Sequence, residues 1–242
     1  MPDPAKTILH AIGLQKRFGG VVAARDVDFA LTEGELRCVI GPNGAGKSTF
    51  FALLAGIQPP DAGRIELEGE DITRLKPFQR VRKGLGLTFQ TNRTFHAMTL
   101  RQNLDTAGRG GEEPAPFRAA LTAFGLDRGL DRPVTALAHH ERQWLEICMA
   151  LRGRPSVLLL DEPTAGMSPV ETRRTSDVLR ELNSGGLSII VVEHDIAFVR
   201  ATAQMVTVLH QGAIFAEGTM AEITAREDVR AIYLGKVREE TA

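Results

Sequence analysis

The run Gly41-Pro42-Asn43-Gly44-Ala45-Gly46-Lys47-Ser48-Thr49 carries the spacing G-x-x-x-x-G-K-[ST] over its first eight residues. Glycines at these positions let the backbone curl until consecutive N–H groups face one anion. A helix beginning near Lys47 aims the positive end of its dipole at the same point. Lys47 would then reach the β- and γ-phosphates of a nucleotide, and the Ser48 hydroxyl would ligate Mg²⁺. The competing reading is an accidental glycine-rich turn. With Gly at about 7% of residues, the four fixed positions arise by chance in roughly one chain of this length per hundred. A preceding strand and a following helix make the accident rarer still.

A second group of residues suits the other half of such chemistry. The apolar run Val157-Leu158-Leu159-Leu160 ends in Asp161-Glu162. A carboxylate at the C-terminal end of a parallel strand stands at the edge where such sheets bind ligands. Asp161 suits the holding of Mg²⁺, usually through water. Glu162 suits the polarising of an attacking water as general base. Alone, the pair reads equally as a helix-capping acid with a solvated neighbour; beside a phosphate loop the chemical reading prevails. Gln90 follows the apolar stretch Leu85–Phe89 and is a candidate contact for Mg²⁺ or the attacking water. His194 closes Ile189–Val192 after Glu193, which brings it near the γ-phosphate. A lone histidine is more often a plain surface or core residue, and the strand-end position is what favours chemistry here. Phe18 is a candidate for stacking on adenine, with a core phenylalanine as the alternative.

These residues need elements to hold them. Ile8, His10, Ile12 and Leu14 alternate, as do Val27, Phe29 and Leu31, so both runs are predicted strands, and Glu33-Gly34 turns the chain into the strand Leu36–Ile40. A helix over Lys47–Leu54 is ended by Gly56 and Pro59-Pro60. Arg64–Glu68 alternates again. From about Thr91 to Ala150 the pattern is helical, anchored by Leu100, Leu104, Leu121 and Phe124 and broken by Gly108–Pro116. Val157–Leu160, Val170–Leu182, Ser188–Val192 and Ile196–Ala201 then give strand, helix, strand, helix, the mark of a parallel sheet with crossover helices. Val206–Leu209 and Ala213–Ala216 form an expected hairpin around Gln211-Gly212. The net charge of -1 gives no reason to expect a nucleic acid partner. Cys38 and Cys148 sit in apolar runs and are expected to be reduced core thiols. The opening Met1–His10 lacks the features of an export signal. No apolar run approaches the ~18–20 residues of a membrane span. A soluble protein is expected, with any membrane role exercised through a partner.

Taken together and in this order, the loop Gly41–Thr49, Gln90, Asp161-Glu162 and His194 resemble the ABC transporter ATPase family over essentially the whole chain. The resemblance implies an α/β fold: a P-loop NTPase core with a parallel sheet, an N-terminal antiparallel β-subdomain and an inserted α-helical subdomain. It divides the single domain 1–242 into a core, 1–90 and 151–242, and a helical subdomain, 91–150, that receives the transporter's coupling helices. It implies Mg-ATP hydrolysis by a head-to-tail dimer with a second ABC ATPase subunit, homologous or identical. It also implies two membrane permease subunits, attachment through them to the cytoplasmic face of the inner membrane, and indirectly a periplasmic substrate-binding protein.

Ala165–Pro169, Val191–Asp195, Gln143–Ile147 and the terminal Ile232-Tyr233-Leu234-Gly235 are similar to one branch, the importers of branched-chain amino acids, amides and urea. An exporter ATPase, a non-transport ABC ATPase and a mainly regulatory subunit remain alternatives, and the cargo is not written in the chain. One motif departs from the family. Its signature, Leu-Ser-Gly-Gly-Gln, is here Leu137-Ala138-His139-His140-Glu141. The resemblance assigns this loop to the partner's ATP, so the missing serine hydroxyl at Ala138 and the missing glycine at His140 put that contact in doubt. A histidine N–H could replace it.

Overall fold

The computed structural model describes residues 6–90, 93–108 and 110–234. Thr91, where the sequence predicts the helical stretch to begin, and Gly235, the end of the terminal run, lie outside the described residues. The hairpin β1 (Thr7–Phe18) and β2 (Val21–Thr32) leads to β3 (Leu36–Ile40), the glycine-rich loop and α1 (Lys47–Ala55). Next come β4 (Ala62–Leu67), β5 (Glu70–Asp71), the short α2 (Pro77–Arg82) and β6 (Leu85–Leu87). Helices α3 (Leu100–Ala107), α4 (Ala115–Ala123) and α5 (His139–Arg152) precede β7 (Val157–Asp161), α6 (Pro169–Ser184), β8 (Ser188–Val192) and α7 (Ile196–Thr202). The described chain ends with β9 (Met205–His210), β10 (Ala213–Gly218), α8 (Met220–Ala225) and α9 (Glu227–Leu234).

The sheet order β10-β9-β3-β8-β7-β6 is parallel except at β10, and β2-β1-β4-β5 forms a separate antiparallel sheet. β3, β7 and β8 are apolar without interruption because they lie inside a parallel sheet covered on both faces. Their alternation divides the core. Leu36, Cys38, Leu158, Leu160, Ile189 and Val191 meet the helices α3–α7, while Val39, Val157, Leu159, Ile190 and Val192 meet α1 and the antiparallel sheet. Cys38 and Cys148 are buried and free, as the sequence suggests, and burial raises both thiol pKa values.

β1 departs from simple alternation. Leu9 and Ala11 are buried on one face, yet Leu14 continues it, because the register with β2 shifts between Ala11 and Leu14. Gly13, at φ +57°, takes the left-handed conformation that the irregularity requires. His10 and Ile12, on the face opposite Leu9 and Ala11, are half-buried.

α1, which carries the glycine-rich loop on its N-terminus, is anchored at its other end by an unexpected residue. Arg80 of α2 is fully buried and donates to four carbonyl oxygens: Leu53 and Leu54 at 2.7 Å, Thr73 at 2.9 Å and Leu75 at 3.0 Å. Two of these are carbonyls of the last turn of α1, Leu53 O being shared with the Gly56 N–H at 3.2 Å, and a cation there also complements the helix dipole. Burial lowers the guanidinium pKa to about 10, with Asp71 opposing, so Arg80 stays charged at neutral pH. Gly56 makes room for it: a Cβ there would lie 2.6 Å from Arg80 Nε. Arg80→Ala should therefore lower stability by about 3–5 kcal/mol, or roughly 10 °C in melting temperature. A thermal melt within about 2 °C of wild type would show that the four carbonyls are satisfied without it.

Candidate nucleotide site

The loop after β3 has no space for a side chain at Gly41 or Gly46. A Cβ on Gly41 would lie 2.4 Å from Leu209 O, and one on Gly46 would lie 2.5 Å from Ala23 O. Gly44 and Gly46 have φ of +78° and +102°. Gly46 is the N-cap of α1, with no side-chain cap and no acid in the first turn, so the amides and dipole of the helix suit an incoming anion. Lys47 is buried and folded back over the loop, its Nζ donating to Gly41 O at 2.6 Å and Pro42 O at 3.2 Å. Ser48 and Thr49 follow it on the first turn of α1. Phe18 is 46% exposed at the β1–β2 tip, paired with Val21 and approached by Lys16 Nζ at 5.6 Å from the ring centroid. The contact between Ala23 of β2 and Gly46 brings this tip beside the loop.

The strand-end residues converge. Glu162 takes a left-handed φ of +47°, and its N–H donates to Val192 O at 2.9 Å, which ties the end of β7 to that of β8. Gln90 Nε2 donates to Glu162 Oε2 at 3.0 Å, while His194 Nδ1 lies 3.4 Å from Glu162 Oε1. Gln90, Glu162 and His194 thus meet, although β6 ends three residues before Gln90, earlier than the apolar stretch suggested. Burial, then the neighbouring Glu162 and Glu193, push the Asp161 carboxyl up to about 6 against the pull of Lys47.

Residues 137–141 lead into the first turn of α5 and make their contacts within the chain. Leu137 is buried. Ala138 caps α5 without a side-chain oxygen, and its N–H donates to Glu141 Oε2 at 2.8 Å. Glu141 is also paired with Arg132 at 3.0 Å. His139 Nε2 lies 3.1 Å from Ala165 O. His140 Nδ1 lies 2.8 Å from Glu171 Oε1, with its ring edge-on to Trp144 at 4.7 Å. Both imidazoles therefore engage the segment that follows Glu162.

Residues 24–165, more than half of the chain, match the family model described as ABC transporter. The chain belongs to the ABC transporter family. It shares 35% identity over 253 residues with the "High-affinity branched-chain amino acid transport ATP-binding protein BraF" of Pseudomonas aeruginosa, covering 96% of this chain and 99% of that one. A "Probable ABC transporter ATP-binding protein" of Azorhizobium caulinodans is 33% identical over 240 residues, covering 97% and 85%. Among solved structures, a nucleotide-free ATP-binding cassette from an ABC transporter superposes with a TM-score of 0.84 at 27% identity, over 94% of this chain and 99% of that one. The ADP conformation of a similar cassette gives 0.83 at 27%, over 95% and 99%. This ABC protein is accordingly an ATP-binding, ATP-hydrolysing transporter subunit with the ABC ATPase fold, and none of its described helices is long and apolar enough to cross a membrane.

One residue at the centre of this ABC site has no local pattern to mark it. Glu193 is 1% exposed, and its carboxylate accepts from Thr164 Oγ1 at 2.5 Å, Thr164 N at 3.3 Å, His194 N at 2.9 Å and Asp195 N at 3.3 Å. It fastens the turn after Glu162 to the backbone that presents His194. A second buried acid, Glu146 of α5, is 8% exposed and accepts from the backbone N–H of Arg93. Burial pushes its carboxyl up to about 7 from the usual 4.5, although the Arg93 N–H and guanidinium both oppose the rise. A raised carboxyl pKa favours the folded state while the group is protonated, and that contribution is lost as pH rises through 7. Glu146→Gln should thus exceed wild type in stability by up to about 3 kcal/mol at pH 8 and lose that advantage towards pH 4. Urea unfolding at the two pH values checks it; equal stabilities at pH 8 would rule out the buried charge.

Proposed function

We propose that this ATPase is the motor of an importer for branched-chain amino acids, amides or urea. On this reading it works at the cytoplasmic face of the membrane with two permeases, a second ATPase subunit and a substrate-binding protein that delivers cargo. A branched-chain amino acid cargo is supported by the names of relatives such as BraF, and the chemistry by the meeting of Gln90, Glu162 and His194 next to Asp161, which feels the charge of Lys47. The loop amides of residues 41–49 would wrap the phosphates, and Lys47 would swing from its carbonyl partners to the β- and γ-oxygens. Phe18 would cover the adenine. Ser48 on the first turn of α1 and Asp161 at the end of β7 would hold Mg²⁺, a hydroxyl and a carboxylate being the hard oxygen donors this ion takes alongside phosphates and water. When bound, Mg²⁺ would offset the charge that builds on the phosphoryl oxygens. Glu162 would take the proton of the attacking water, Gln90 would orient that water, and His194 would steady the γ-phosphate. The division into a core, 1–90 and 151–242, and a helical subdomain, 91–150, is part of the same reading. So is the use of residues 137–141 on the partner's ATP.

Purification from detergent-solubilised membranes tests the transport assignment. The full chain should bring down two hydrophobic permease chains and an ATPase partner. Recovery of ribosomal or DNA-repair proteins in their place would favour a non-transport ABC ATPase.

A further inference from the structure

Glu146 is hard to explain as packing. It lines an open, mostly apolar pocket of about 400 Å³ whose other walls include Phe78, Leu87, Phe89 and Met149, from α2, from β6 and its continuation, and from α5 itself, with Thr88 and Arg93 among its polar members. An apolar residue of similar size would suit such a lining, because a buried charge seldom stabilises a fold better than a well-packed hydrophobe. The use of the carboxyl is local: it accepts from Arg93 N–H, three residues beyond Gln90. The stretch on either side is held as well. Thr88 N donates to Leu159 O at 3.1 Å, and the Arg93 guanidinium lies 4.0 Å from the centre of the Phe89 ring. Phe95 N donates to Asn103 Oδ1 of α3 at 2.7 Å. Three residues span at most about 10–11 Å, so fixing Arg93 restricts where Gln90 can stand. Gln90 in turn donates to Glu162.

We propose that Glu146 is a positioning residue that ties α5 to the Gln90 loop, so that the place of Gln90 against Glu162 depends on the place of α5. This rests on the reading of Glu162 as the base. Glu146 touches neither nucleotide nor water; it acts through Gln90. A glutamine at 146 retains the acceptor oxygen and a leucine does not, which separates the tether from simple filling of the cavity.

Steady-state ATPase of the full chain in its permease complex tests this. Glu146→Leu should fold with a melting temperature near wild type and lose about tenfold in kcat, with KM for ATP within about twofold. Glu146→Gln should stay within about threefold of wild-type kcat. In a Gln90→Ala background Glu146→Leu should add no further loss, since two residues acting through one contact are not additive. If the leucine variant does not fold, Glu146→Ala carries the same comparisons. Wild-type turnover in Glu146→Leu while Glu162→Gln is inactive would overturn the tether and leave the base in place. A further loss in the Gln90→Ala background would also overturn it, by placing the effect elsewhere. Wild-type turnover in Glu162→Gln would remove the reading on which the tether rests.

Discussion

Glu162→Gln should bind Mg-ATP with near wild-type affinity and lose about 10²- to 10⁴-fold in turnover, the range for removal of a general base. The amide is isosteric and can still accept from Gln90, so the contact at 3.0 Å need not be broken. What is lost is a proton acceptor required in the transition state, which lowers kcat and leaves ground-state binding alone. The variant should accumulate as an ATP-bound dimer, visible as a shift in size on gel filtration with ATP. Lys47→Ala should do the reverse. It removes a cation that already lies within the loop, so ATP affinity itself should fall in a calorimetric titration. Turnover at the wild-type rate in Glu162→Gln, measured in the assembled transporter, would mean that another group takes the proton.

The glycine-rich loop and the Asp161-Glu162 pair were legible because each is a local pattern whose spacing fixes its geometry. Gln90 and His194 were legible for a different reason. Each follows an apolar run, and parallel strands deliver their C-terminal ends to one edge of the sheet. Glu193 also follows such a run, but its importance depends on Thr164 arriving from another element, which no local pattern records. Arg80 lies in the run Arg80-Val81-Arg82-Lys83, which reads as a solvated face. Of the four carbonyls that explain its burial, two stand at the end of α1, distant in sequence. In β1 the period of two fails at Gly13, since a bulge changes the face that each following residue presents. The histidines of the altered signature have side chains that suit phosphate donors, while their ties to Ala165 and Glu171 arise from the tertiary fold, which no local pattern records.

Restoring the signature with Ala138→Ser and His140→Gly should raise ATPase activity while lowering stability. Ala138 caps α5 with a methyl group, so a serine there would supply a hydroxyl at the position assigned to the partner's γ-phosphate. A hydrogen bond to a charged group contributes about 1.5–3 kcal/mol, or roughly 10- to 150-fold in the rate of a site that lacks it. His140→Gly removes the pair with Glu171 and the edge contact with Trp144. The glycine costs up to about 1 kcal/mol and the serine N-cap at 138 returns about as much, so the melting temperature should fall by the loss of the His140 contacts. The two effects have opposite signs, which excludes a general gain in folding as the cause of faster turnover. In a homodimer both composite sites should gain; in a heterodimer only the site built with the partner's phosphate loop should gain, and single-turnover kinetics would show two unequal phases before the change. Affinity of this chain's own loop for ATP should stay the same, because the altered residues face the nucleotide held opposite. An assembled transporter with lower stability and no faster turnover would mean that the backbone amides at the start of α5 already make the phosphate contact, or that residues 137–141 do not face the partner's ATP.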